Sequence, residues 1–290
     1  MTETTKRHKT CLEDFGFYID DHSFHKTAEP IKGFSSLRIS IHPAEFLEVY
    51  KSIFEERDGT KHYWLDTSFL LESSHIYGQC GERNLRLSNA SFLNACASGL
   101  AGIGQEYDEL WYEFQKVQEL QFNELERLIH RNDVTILPEI LEEYITGDDR
   151  CLKKRMETQN GSYKKMMERY FIEKSRLARQ MGCACQRDET LKMLNRCKVD
   201  PVLQYSTQIA ESNRINTGGV DNLLTAYALA NAAGTGNTQI IVTGDNGIVD
   251  LLGVLPRHSP DGVKIDVSER YYSPLKTHEI EVVIREVTKK

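Results

Sequence analysis

No apolar run in this sequence approaches the roughly 18–20 residues that a membrane-spanning helix needs, so no membrane association is expected. Met1 to Thr10 are polar and hold no apolar h-region, which argues against a secretory signal. Positive charge is not in surplus either: 36 Lys and Arg face 43 Asp and Glu, a formal net charge of −7. A protein that meets nucleic acid over its whole surface is basic, so any such contact must come from a local patch. The seven cysteines are odd in number and scattered. They predict reduced thiols in a cytoplasmic setting rather than a disulfide framework. Cys183, Cys185 and Cys197 come closest to a zinc pattern, but no second clean pair completes it, and semi-buried helical residues are the preferred reading. A P-loop, a G-x-G-x-x-G after a strand, a nucleophile elbow and an internal repeat are all missing. Nucleotide-cofactor and covalent-nucleophile chemistry therefore have no support.

What is present is an alternation of short apolar runs with helical periods. Leu37, Ile39 and Ile41 alternate as a half-buried strand, and a helix opens at His42-Pro43 and runs to Glu56. Tyr63 to Leu71 (YWLDTSFLL) is apolar without alternation, as in a strand buried on both faces. Residues 73–104 are rich in Gly, Ser and Asn and read as loop. Residues 105–130 place Leu110, Phe114, Val117, Leu125 and Leu128 on one helical stripe. Asp133 to Leu137 reads as a strand, and Pro138 starts a helix. A charged helical arm follows over 150–180 and another helix over 202–214. The Asn216-Thr217-Gly218-Gly219 loop precedes a helix from Asp221 to Ala232, broken by Gly234 and Gly236. Thr238 to Val242 reads as a buried strand, Gly244-Asp245-Asn246-Gly247 as a turn, then a short helix to Leu252. Val263 to Val267 and Ile280 to Val287 read as further strands. Such alternation predicts a mostly parallel α/β sheet.

Ligands of open α/β sheets bind at the carboxyl ends of the strands, and two aspartates stand there: Asp66 after Tyr63-Trp64-Leu65, and Asp245 after Ile240 to Gly244. Neither has a basic neighbour in sequence, and burial of an unpaired carboxylate is unfavourable. Glu142, Glu143 and Asp221 lie near helix starts, where the dipole alone would favour an acid. Taken singly, Asp221 reads as a cap and either glutamate as a solvated face. The set carries the inference, because strand carboxyl ends and the following helix amino ends share one edge of a parallel sheet. Four carboxylates converging there repel unless a cation sits among them. A donor set of oxygens without His or Cys suits Mg²⁺ or Mn²⁺, the usual equipment of phosphodiester hydrolysis.

These residues resemble the PIN-domain nucleases. The motifs, in order, are Leu65-Asp66-Thr67-Ser68-Phe69-Leu70, Pro138 to Tyr144 (PEILEEY), Asp221 to Ala230 (DNLLTAYALA) and Val242-Thr243-Gly244-Asp245. The resemblance spans about 59–148 and 201–267. It implies a twisted, mainly parallel sheet flanked by helices, with helical insertions and extra N- and C-terminal strands. It also implies a metal-dependent ribonuclease with Asp66, Glu143, Asp221 and Asp245 as catalytic metal ligands. Glu143 is preferred to Glu142 because it directly precedes an apolar residue. Thr67, Ser68 and Thr243 would orient the carboxylates, with Asn246 beside them. The additional acid common in the family falls at Gly247, and Asp250, one turn on, is the candidate substitute. The chain then divides into an extension over 1–58, the nuclease core over 59–148 and 201–267, a basic insertion over 149–200 and a strand extension over 268–290.

From Arg150 to Arg179 ten basic residues meet only Glu157, Glu168 and Glu173. Tyr163, Tyr170 and Phe171 are interleaved. Lys153, Lys154, Arg155, Lys164, Lys165, Arg169 and Arg176 are thus candidate contacts to a phosphate backbone, with aromatic rings for unstacked bases. The equally weighted alternative is a solvated helix whose Met166, Met167, Tyr170 and Leu177 pack inward. The expected function is an endoribonuclease acting on single-stranded RNA, guided by this arm over the acidic cleft. A structure-specific DNA nuclease, or a PIN-like RNA-binding scaffold with little catalysis, are the alternatives. On a second copy of the chain or a protein inhibitor as partner, the sequence is silent.

Overall fold

The computed structural model describes residues 17–20, 23–26, 38–41, 43–54, 60–71, 76–80, 83–86, 92–93, 106–146, 157, 162–272 and 275–284. In chain order the elements are β1 (Phe17–Asp20), β2 (Ser23–Lys26), β3 (Arg38–Ile41), α1 (Pro43–Phe54), β4 (Lys61–Leu65), α2 (Thr67–Leu71), β5 (Ile76–Cys80) and β6 (Arg83–Arg86). There follow α3 (Glu106–Ile129), β7 (Val134–Thr135), α4 (Pro138–Thr146), α5 (Ser162–Cys185), α6 (Asp188–Arg196), α7 (Val199–Ser212) and α8 (Gly219–Thr235). The chain ends in β8 (Thr238–Thr243), α9 (Asn246–Val254), a 3₁₀ turn (Leu255–His258), β9 (Val263–Tyr272) and β10 (Leu275–Ile284). No helix among the described residues is long and apolar enough to cross a membrane.

The chain separates into two units. One comprises Met1–Glu48, Glu72–Phe122 and Thr146–Ser175. It holds the β1–β2 hairpin and an antiparallel sheet in the order β3-β5-β6. The loop expected over 73–104 is thus corrected: β5 and β6 form there. Gly78 is paired on both sides, with Ile39 and Leu85, because cross-strand hydrogen bonding offsets the weak strand preference of glycine. Phe92 and Phe114 pack with their rings tilted by 34° and centroids 4.4 Å apart.

The other unit, Val49–Leu71, Asn123–Ile145 and Arg176–Lys290, carries the five-stranded sheet. Its strand order is β7-β4-β8-β10-β9. β7, β4 and β8 are parallel, with Tyr63 opposite Val134 and Lys61 opposite Thr238. β10 runs antiparallel to β8, and β9 antiparallel to β10. The sheet is therefore mixed, with a parallel core, rather than mainly parallel throughout. The C-terminal strand starts at Leu275, earlier than the alternation suggested, and closes a hairpin on β9.

The central strands are apolar because both faces are covered. Tyr63, Trp64, Leu65, Ile240, Ile241 and Val242 are all buried, Trp64 completely. One cover is α8, whose Ala226, Ala228 and Ala232 are buried and let the helix approach closely. Tyr227 stacks on Trp64 at 6.2 Å. Gly234 does not break this helix, which continues to Thr235. The stop is Gly236, in the left-handed region at φ 70°, where glycine carries no Cβ penalty.

The run from Tyr63 to Leu71 is not one strand. β4 stops at Leu65, and the chain turns at Asp66 into α2. The Asp66 amide still donates to Val242 O at 3.2 Å, extending the ladder, while its own carbonyl accepts the Leu70 amide at 3.2 Å, opening the helix. Phe69 and Leu70 are buried from the helix instead of a strand. An apolar run suits either state, and Asp-Thr-Ser is a helix-start sequence embedded in it.

Candidate functional site

All four candidate acids belong to the unit built on the mixed sheet. Asp66 directly follows the parallel strand β4, and Asp245 stands two residues past β8. Glu143 lies in the second turn of α4, which follows β7. Asp221 lies in the first turn of α8. That helix ends just before β8 begins, so its 17 residues carry its first turn about 24 Å back toward the carboxyl ends of the strands.

Asp66 and Asp245 repeat one device: each ends a strand and caps the next helix. Asp245 Oδ1 accepts the Gly247 amide at 2.5 Å and the Ile248 amide at 3.3 Å, capping α9. Asp66 Oδ2 accepts the Ser68 amide at 3.3 Å. The sequence placed a free turn at Gly244 to Gly247, whereas α9 begins at Asn246 as soon as Asp245 has capped it.

Two hydroxyls tie the aspartates together. Ser68 Oγ donates to Asp66 Oδ2 at 2.5 Å and accepts the Gly244 amide at 2.7 Å. Thr243 Oγ1 donates to Asp66 Oδ2 at 2.7 Å and accepts the Asp245 amide at 2.9 Å. Since each hydroxyl takes a backbone N–H on its lone pairs, its single proton is committed to Asp66. Asp66 is 2% exposed, and burial pushes its carboxyl above the ordinary range, against the hydroxyls of Ser68 and Thr243 and the Thr67 amide, with the charge of Asp245 adding to the rise. Thr67 Oγ1 turns the other way and donates to Glu143 Oε2 at 2.7 Å.

Asp221 Oδ2 accepts the Gly218 amide at 2.7 Å, so the cap reading of this residue is real: the acid reaches back to the amide that opens its helix. Even so, its carboxyl is pushed up to about 6. Burial is the main cause, the Gly218 amide opposes it, and the charges of Asp66, Asp245 and Glu143 raise it further. The three acids named by sequence are therefore the three whose fields reach Asp221. Glu142 and Asp250 are exposed and are not among them. Asn246, the first residue of α9, is exposed as well.

Among the described residues no Lys or Arg forms an ion pair with Asp66, Glu143, Asp221 or Asp245. Among the described residues, the side-chain and amide bonds above fall on one oxygen of each carboxylate, Asp66 Oδ2, Glu143 Oε2, Asp221 Oδ2 and Asp245 Oδ1, a donor set of hard oxygens that fits Mg²⁺ or Mn²⁺ in chemistry. The spacing is wider than a single ion requires: among the described residues no group of three or more Asp, Glu, His or Cys is gathered closely enough to hold one.

Sequence reasoning missed the part played by Gly218, Asn216 and Gly247. A Cβ on Gly247 would lie 2.5 Å from Asn216 O and 2.9 Å from Asp245 Oδ1. The loop leading to Asp221 is thus pressed against the first turn of α9, and the position where an additional acid was looked for has no room for any side chain. The Thr217-Gly218-Gly219 sequence was the visible signal.

Of the basic arm, Lys153, Lys154 and Arg155 lie outside the described residues. Lys164, Lys165, Arg169 and Arg176 are exposed along α5, and Arg176 Nη2 stands 3.5 Å from Glu126 Oε2. Met167, Tyr170 and Leu177 are buried, so the helix packs inward on one side and shows cations on the other. Cys185 is buried and donates to Ile136 O at 3.2 Å, Cys183 is exposed and Cys197 half-buried. Compared with known proteins, the chain matches no family model, no curated protein and no solved structure.

Proposed function

We propose that this chain is a metal-dependent nuclease, an endoribonuclease that hydrolyses phosphodiester bonds of single-stranded RNA. The observation that carries the proposal is Asp221: a carboxyl pushed up to about 6 by burial and by three other acids drawn from distant parts of the chain. Negative charge assembled without a basic partner is a standing demand for a cation. Asp66, Glu143, Asp221 and Asp245 would hold Mg²⁺ or Mn²⁺, which when bound would activate water and stabilise the leaving oxygen. Within the chain, Ser68 and Thr243 fix one oxygen of Asp66 and oppose the effect of burial on its ionisation, while Thr67 aims Glu143. The likeness of the four ordered motifs to PIN domains supports RNA as substrate. The exposed cations of α5 supply the local positive charge that an acidic protein needs to meet a phosphate backbone.

The test is side-by-side cleavage of single-stranded RNA, single-stranded DNA and flap substrates. RNA is expected to be cut, with activity lost in chelator and restored by Mn²⁺. Preference for flaps would move the assignment to a DNA nuclease, and no cleavage of any substrate with Mn²⁺ would sink the catalytic reading. Ser68→Ala removes one of the two hydroxyls on Asp66 and is expected to lower kcat roughly 10–100-fold. A kcat equal to that of the unaltered protein would show that Thr243 alone suffices.

The wide spacing of the acids favours a second reading, an RNA-binding scaffold with little catalysis. Calorimetric titration with Mn²⁺ separates the two, since a scaffold has no need to bind the ion.

A further inference from the structure

The amino ends of the same parallel strands carry a different feature. Lys61 and Thr238 open β4 and β8, at the opposite strand ends from the acids: Lys61 is five residues before Asp66, about 16 Å along the strand, and Thr238 is seven residues before Asp245. There a cavity of about 330 Å³ is lined by Lys61, His62, Arg131, Asp133, Arg187, Glu189, Asn231 and Asn237, among others.

Its cations are not alike. Arg131 is spent: Nε and Nη2 bond both oxygens of Asp133 at 2.8 and 2.5 Å, and Nη1 donates to Phe54 O at 2.7 Å. The pair is a rigid, neutral wall. Arg187 is different. One Nη2 donates to Ile129 O, with His130 Nδ1 at 3.4 Å, and among the described residues no carboxylate pairs with it. It is half-buried, so its remaining donors, Nε and Nη1, are presented without a counter-ion. Arg187 also occupies the position just before α6, and no side chain caps that helix. The first turn of α6 carries Asp188 and Glu189, which offset the positive end of the helix, so the Arg187 guanidinium is the main source of positive charge at this wall. Asp188 and Glu189 are both exposed, and Lys61 lines the same cavity.

The rest of the lining is fixed and polar. Gln239 Oε1 accepts from Asn231 Nδ2 at 2.8 Å and from Trp64 Nε1 at 2.9 Å, and Gln239 Nε2 donates to Asn237 O at 2.8 Å. His62 Nε2 pairs with Thr135 Oγ1 at 2.9 Å. A wall locked in this way needs little reordering to bind. The cavity is at the lower end of small-molecule sites, which run from about 300 Å³, and is larger than a bare oxyanion requires.

The geometry points to a second ligand site, for a small molecule bearing a phosphate group. The phosphate would be held by the fork of Arg187, with Lys61 lining the same cavity, and the remainder would lie against the His62, Asn231 and Asn237 wall. Arginine suits this task because its fork matches a phosphate with two parallel bonds.

The experiment is calorimetry on the full chain in EDTA, which removes any binding bridged by a cation at the acids. The probes are inorganic phosphate, AMP and UMP. All three are expected to bind, and Arg187→Gln to weaken each by roughly tenfold or more, Lys61→Gln by less, with Asp66→Asn unchanged. Tighter binding of a nucleotide than of phosphate would assign a nucleotide, and equal binding would assign the free anion; both support the site. No heat from any probe up to about 10 mM, or binding unaltered in both Arg187→Gln and Lys61→Gln, would overturn it. Either result leaves the nuclease reading untouched, because the acids are tested with Mn²⁺ and RNA.

Discussion

Asp221→Asn is expected to make the protein more stable at pH 7.5 and, in the same molecule, to remove cleavage. The carboxyl is raised to about 6 in the fold, above its range in an unfolded chain, so the folded state holds its proton more tightly. This acid's unfavourable contribution is absent below about pH 4, grows as pH rises toward 6, and is complete at 7.5. Allowing for its partial exposure, ionisation there opposes folding by about 2 kcal/mol, or on the order of 4–8 °C in Tm. Asparagine keeps an oxygen for the Gly218 amide and discards the charge. Thermal midpoints of both proteins in EDTA should therefore coincide near pH 4 and separate by pH 7.5, with the variant higher. Cleavage with Mn²⁺ should fall on the order of a thousandfold, about 4 kcal/mol of barrier. A variant less stable at pH 7.5 would mean that the cap at Gly218 outweighs the crowding of charge. Full cleavage would remove Asp221 from the site.

Gly247→Asp, which would place an acid where the PIN domains that the motifs resemble commonly carry one, is expected to damage the protein instead of improving it. The added Cβ meets backbone, Asn216 O at 2.5 Å, and backbone cannot swing aside as a flexible side chain can. The loop from Asn216 to Gly218 must shift, and with it the amide that holds Asp221, while Asp245 Oδ1 at 2.9 Å is pushed from the other side. Overpacking of this kind costs about 1–3 kcal/mol. Gly247→Ala should show most of the loss, since the clash begins at Cβ, and both variants should lose most of their Mn²⁺-dependent cleavage. An aspartate variant that bound Mn²⁺ more tightly at unchanged Tm would show that the loop yields and that the glycine is incidental.

The residues that made the acid set legible were those whose surroundings are local. Asp66 and Asp245 announce themselves because each closes an apolar run. Glu143 and Asp221 follow a proline and a glycine pair that open helices. The Phe114, Val117, Leu125 and Leu128 stripe is buried as its spacing required. Illegible were features decided at a distance. Whether Thr67 to Leu71 is strand or helix depends on Asp66 reaching the Ser68 amide. Gly78 is held in a strand by residues far away in sequence. That β10 runs against β8 rather than along it follows from its hairpin with β9, which the alternation in Val263 to Val267 could not convey. Gly234 looked like Gly236, but only Gly236 takes up a conformation that needs glycine.

The capping roles of Asp66 and Asp245 separate the acids by what would preserve them. Each begins a helix and would be worth keeping for that reason alone, even in a descendant that had lost its chemistry. Asp221 works against the fold at neutral pH, and drift toward asparagine there would be rewarded as soon as catalysis ceased to matter. Under the proposed function, the two aspartates at the strand ends are poor markers of activity. The acid that the fold would be better off without is the one whose presence reports a working site.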